Sequence, residues 1–154
     1  MRYRKFLLFL LPLLLTACNA SDNVDDIFTT HGWSFTGFCY TPNWNGPECS
    51  LLDITLTGYQ QHQENTVFFL PNGTVEVHMS GCSLTGNWTA DGRERTFAIR
   101  NLSVTSGSLS QLNAFAQKFY KDLCETVWYR GDSTNLQLFE AEGHYYLLFA
   151  PKNN

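Results

Sequence analysis

Val67-Phe68-Phe69-Leu70-Pro71-Asn72-Gly73-Thr74-Val75-Glu76-Val77-His78-Met79 reads as two strands and the turn that joins them. Asn72-Gly73 supplies the positive φ angles that a tight hairpin needs. In the return strand Val75, Val77 and Met79 share one face, while Glu76, His78 and Ser80 share the other. One face is therefore buried and the other wet. A second hairpin follows, with Asn87-Trp88-Thr89 turning at Asp91-Gly92 into Thr96-Phe97-Ala98-Ile99. Upstream, Trp33-Ser34-Phe35-Thr36 alternates apolar and polar, and Leu52, Ile54 and Leu56 alternate with Asp53, Thr55 and Thr57. Downstream come Val127-Trp128-Tyr129-Arg130, then Leu136-Gln137-Leu138-Phe139, a turn through Glu142-Gly143, and Tyr145 to Phe149.

One segment breaks this period of two. Leu109, Leu112, Phe115, Ala116, Phe119 and Leu123 recur at steps of three and four, the apolar face of a helix. Ser108, three residues before Gln111, predicts a capping box at its start. The pattern predicts a mainly β fold, a small antiparallel barrel or strongly curled sheet of about eight strands with one amphipathic helix across it. Trp33, Phe35, Trp88, Phe97, Trp128 and Tyr145 fall on strands and are expected to point inward. A barrel of about eight strands is either filled by side chains or holds one small ligand, and large inward residues favour filling.

The amino terminus sets the compartment. Arg2, Arg4 and Lys5 precede the ten-residue apolar stretch Phe6 to Leu15, too short to cross a bilayer as a helix. The run Leu15-Thr16-Ala17-Cys18 resembles the lipobox of bacterial lipoproteins. The resemblance implies a signal peptide over residues 1–17, cleavage before Cys18, and palmitate-type acyl chains on that cysteine. Two or more chains give a stable anchor where one does not. Asn19 follows, not the Asp that commonly retains such proteins in the inner membrane of enteric bacteria. The implied location is the outer membrane of the cell envelope, with the domain facing the periplasm. Residues 18–27 then form the lipidated cysteine and a flexible acidic tether, and residues 28–151 form one domain.

Residues 1–17 hold three of the ten basic residues and none of the 14 acidic ones, leaving a formal charge of −7 on the rest. A chain this acidic is a poor partner for nucleic acid. Beyond Cys18, the even count of Cys39, Cys49, Cys82 and Cys124 in an exported chain reads as two disulfides. The turn formers between Cys39 and Cys49 favour that pairing, which leaves Cys82 with Cys124. A zinc site is disfavoured because no C-x-x-C pair occurs, and no cofactor is expected.

From Asn72-Gly73-Thr74-Val75 through the Gly81-Cys82 corner, Gly86-Asn87-Trp88-Thr89, the Asp91-Gly92 turn, a helix, a Leu-x-Leu strand and a closing hairpin, the order of motifs resembles the META domain of heat-shock HslJ-type lipoproteins. The resemblance spans roughly residues 31–150 and makes Trp33 that family's early tryptophan. Gly81-Cys82-Ser83 stands where that family has Gly-Cys-Asn, and the loop from Cys39 to Cys49 is extra. It implies a META-like barrel with no established catalytic residues.

Among polar side chains, Glu76 and His78 share a strand face and could act as base and orienter in a weak hydrolase. Strands routinely carry such pairs on the solvent side, and that reading is preferred. Glu142 and His144 flank a turn in the same way. Tyr40, Pro42 and Trp44 lie in a short loop that cannot bury them all, a contact surface for a partner. The expected role is a lipid-anchored, non-catalytic binding or envelope-support module, meeting an envelope protein. The alternatives are a lipocalin-like carrier of a small hydrophobic ligand and the Glu76/His78 hydrolase.

Overall fold

The computed structural model describes residues 21–42, 50–51 and 65–152. The signal segment, Cys18, Trp44, Cys49, His62 and the strand expected over 52–56 lie outside them. Among the described residues, two helices and nine strands follow in chain order. These are α1 (Val24–Phe28), β1 (Trp33–Tyr40), β2 (Ser50–Leu51), β3 (Thr66–Phe69), β4 (Thr74–Met79), β5 (Cys82–Asp91), β6 (Thr96–Gly107), α2 (Ala114–Cys124), β7 (Trp128–Asp132), β8 (Asn135–Phe139) and β9 (Tyr145–Pro151). The strands pair antiparallel in the order β2-β1-β3-β4-β5-β6-β7-β8-β9, and β1 also pairs with β9. That last pairing, from Trp33↔Pro151 to Tyr40↔Tyr145, closes eight strands into a barrel, with β2 a two-residue flank on β1. The expected fold is the one observed.

The hairpin at Asn72-Gly73 forms as its sequence requires. Gly73 adopts φ +82°, and the Asn72 side chain accepts from the Thr74 amide at 2.9 Å. Val75, Val77 and Met79 point inward and Glu76 and His78 outward. The β5–β6 hairpin is longer than its sequence suggests, with β6 running on to Gly107.

The interior is filled with aromatic rings in two groups. Near the start of β1, Phe28 of α1 lies 5.1 Å from Phe69, 5.1 Å from Trp88, 5.5 Å from Phe97 and 5.1 Å from Tyr129. Towards the end of β1, Phe35 lies 4.8 Å from Phe38, 4.8 Å from Phe119, and 5.8 Å from both Phe115 and Phe149. The indole N–H groups of Trp33 and Trp88 donate to the carbonyls of Phe28 and Leu70, so neither buried donor is wasted. Thus α1 stops one end of the barrel and α2 the other. β6 and β7 share only the Thr96↔Trp128 pair, and α2 bridges the chain between them, packing on β6 and β9.

Several expectations are corrected. The helix does not begin at Ser108. Ser108 caps a single 3₁₀ turn, Leu109–Gln111, and α2 starts after Asn113, whose side chain accepts from the Ala116 amide at 2.8 Å. Both residues are good caps, and the chain uses each for a separate turn. The tether expected over residues 18–27 is helix from Val24, capped by Asn23, because Ile27 and Phe28 have core to enter. Trp128 and Tyr145 do not join the core. Tyr129 takes the inward place on β7, while Trp128 lies outside beside Phe139, Tyr146 and Cys39 in a second small cluster. Tyr145 shares the parity of Leu147 and Phe149 but sits at the barrel mouth, 53% exposed.

Candidate functional site

The α2 end of the barrel carries a cleft of about 260 Å³. Its floor is Phe38, Leu138 and Leu147, its helix wall is Lys118, Asp122, Glu125 and Thr126, and its far wall includes Glu140, Tyr145 and Tyr146. The floor is apolar because β1 and β8 end here and β9 begins here, each with a buried inward residue.

Lys118, Asp122 and Glu140 are each held in place. Lys118 and Asp122, four residues apart on α2, form an ion pair at 2.5 Å. The Lys118 ammonium also stands 4.5 Å from the centre of the Phe38 ring. Glu140 follows β8 and organises the turn into β9. One carboxylate oxygen accepts from the amides of His144 (2.8 Å) and Tyr145 (3.2 Å), the other from Glu142 (2.7 Å). Burial pushes the Glu140 carboxyl up, but these three amides outweigh it and hold it below its ordinary value. The cleft thus keeps fixed negative charge. Asp122, Glu125 and Glu140 face one cation, Lys118, giving −2 among the described lining residues.

Tyr40 carries the rim outward. Its ring lies 5.2 Å from Tyr145 and 6.0 Å from His144. The His144 ring nitrogen Nδ1 lies 3.1 Å from the Thr41 carbonyl, and the Thr41 amide donates to the His144 carbonyl at 2.8 Å. Of the expected contact residues, Tyr40 is therefore at the edge of the cleft and Pro42 is exposed two residues on. Glu140 organises the turn that Glu142 and His144 flank.

The other singled-out residues lie elsewhere. Glu76 and His78 do meet, at 3.6 Å, and Ser83 Oγ lies 3.1 Å from His78 Nδ1. They stand half-exposed on the outer wall and do not line the cleft. The expected Cys82–Cys124 bridge is absent: the two are separate thiols. Cys82 is buried in the core, while Cys124 lies exposed at the end of α2, beside Tyr120. Burial pushes the Cys124 thiol above its ordinary value. Among the described residues no group of His, Cys, Asp or Glu converges to hold a metal. No described helix is long and apolar enough to cross a membrane.

Known proteins place this barrel. The crystal structure of a DUF4847 family protein from Bacteroides vulgatus superposes with a TM-score of 0.69 at 24% identity, over 85% of this chain and 99% of that one. The NMR structure of a protein from Burkholderia xenovorans gives 0.51 at 12% identity, over 82% and 85%. Both likenesses are of fold alone. No curated protein matches the chain. The META resemblance is overturned, since the family model that matches is a different one. The motifs behind it, such as Asn72-Gly73-Thr74-Val75 and Asp91-Gly92, are hairpin chemistry common to antiparallel barrels. The model of the domain of unknown function DUF4847 matches residues 19–151, and the chain belongs to that family.

Proposed function

We propose that this is a lipid-anchored envelope protein that works by binding, without catalysis, and that the cleft at the α2 end is its contact site. The observation that carries the reading is the contrast between the two places a ligand could go. The barrel interior is packed with rings, whereas the cleft is open, charged and edged by the exposed Tyr145 and the half-buried Tyr40. A pocket for a whole small ligand runs to roughly 300–1,000 Å³. At about 260 Å³ the cleft is better suited to one side chain or head group of a larger partner. Its net charge and the Tyr40/Tyr145 rim favour a partner that offers a basic side chain. The family match begins at residue 19, directly after Cys18, in keeping with an anchor there and a domain facing the periplasm from the outer membrane.

The second reading is a carrier of a small hydrophobic molecule, favoured by the closed barrel and by the apolar floor of Phe38, Leu138 and Leu147. Thermal unfolding separates the two. A carrier gains stability with added long-chain apolar ligand, by about 2.7 kcal/mol at a hundredfold excess over Kd. The binding module does not, and instead loses cross-linked capture of its envelope partner when Tyr40, Trp44 and Tyr145 are each changed to Ala. Unchanged capture in all three variants would refute it.

A further inference from the structure

The amino-terminal segment is docked to the barrel at the end opposite the cleft. The Asp22 amide donates to the Gly92 carbonyl at 2.9 Å. One oxygen of the Asp22 carboxylate accepts from Arg95 Nε and from the Tyr129 hydroxyl, each at 3.1 Å. Gly92 is needed for this approach, because a Cβ there would lie 2.2 Å from the Asp22 carbonyl oxygen. Arg95 is held at φ +57°, where residues with side chains are uncommon, with its carbonyl accepting from the Tyr129 amide. Phe28 then sinks into the core six residues on. The segment is seated on the barrel from Asp22 onward.

Only four peptide steps separate Asp22 from Cys18. Whatever their conformation, they span at most about 14 Å. Resting on the reading of Cys18 as the lipidated residue, we infer that the protein stands on the membrane with its α1 end down, holding the cleft away from the lipid. The membrane-facing rim is then the β5–β6 turn, α1, and the β7–β8 turn, which the His31 ring fastens through the Ser133 carbonyl at 2.6 Å. The seven-residue rise of β1, on strands tilted as barrels require, puts Tyr40 roughly 15 Å further out than Trp33. Charge does not set this posture. The rim mixes Asp25, Asp26, Glu94 and Asp132 with Arg93 and Lys152, so anionic head groups gain little from it, and the short leash alone decides.

The test uses the full acylated protein in phosphatidylethanolamine/phosphatidylglycerol vesicles that carry a head-group quencher. A fluorescent residue is placed either at Ser133, on the α1 side, or at Ser80, in the β4–β5 turn on the α2 side; both are exposed. The Ser133 position is expected to be quenched several-fold more than Ser80, equally in low and high salt. A Gly/Ser spacer of about 12 residues inserted before Asp22, with a reach near 20 Å, should abolish the difference. Equal quenching without the spacer, or stronger quenching at Ser80, overturns the orientation while leaving the anchor intact. Failure of the protein to float with the vesicles overturns the anchor, and the orientation with it.

Discussion

Phe28 shows how much one side chain decides. It is fully buried and touches four other rings. Phe28→Ala should cost about 3–5 kcal/mol, read as a lower urea midpoint. Glu140 acts on a smaller scale. Its folded pKa lies below the unfolded one, so the stability it adds is present above the unfolded value, near 4.3, and is lost as pH falls through the folded value. Protection of the His144 and Tyr145 amides against exchange, taken relative to their intrinsic rates, should therefore fall on acidification below about pH 4, and Glu140→Gln should remove that change in protection. Protection insensitive to both would contradict the assignment. The buried ring positions Trp33, Phe35, Trp88 and Phe97 were legible as inward residues in the alternation of their strands. Glu140 was not, because its role arises only when a turn folds three amides onto one carboxylate. Tyr145 was misread for a related reason: parity gives the face of a strand, but not whether the residue lies inside the barrel or at its lip.

At the scale of elements, α2 explains both the closed end and the cleft. Its face of Phe115, Ala116, Phe119 and Leu123 is buried, as the three- and four-residue spacing predicts. Its start was placed too early, since Ser108 and Asn113 are both capping residues and spacing does not choose between them. Asn113→Ala should cost about 1 kcal/mol, whereas Ser108→Ala, at the exposed 3₁₀ turn, should cost less. A reversed order in denaturant unfolding would show that the cap lies at Ser108. The Lys118–Asp122 pair is partly exposed and contributes about 0.3–0.5 kcal/mol, too little to fix the helix. Its larger effect is to hold the Lys118 charge over Phe38 at the wall of the cleft. Nothing in the spacing of α2 revealed that Asp122 and Glu125 would face Glu140, because that meeting depends on the β8–β9 turn more than ten residues on.

For the molecule as a whole, closure by the β1–β9 pairing leaves a barrel stopped at both ends. The hairpins made its strand order and a small barrel or strongly curled sheet legible, but neither the β1–β9 register that closes it nor the plug at the α1 end could be read. The segment 22–28 is acidic and short, and its two core residues follow two aspartates. Removal of residues 1–20 should leave unfolding unchanged. Removal of residues 1–28 should lower Tm by roughly 10 °C or more, since the loss exceeds that of the Phe28 ring alone. Equal stability of the two truncations would mean that α1 is only a spacer. The central claim is that a filled barrel does its work at the α2-end cleft. In-cell photo-cross-linking tests it most directly, with a photoreactive residue placed at Tyr145 in one variant and at Glu76, on the outer wall, in another. Capture of an envelope partner from position 145, lost in the Glu140→Gln background, with none from position 76, is the predicted result. Equal capture from both positions, or capture from position 76 alone, would contradict it.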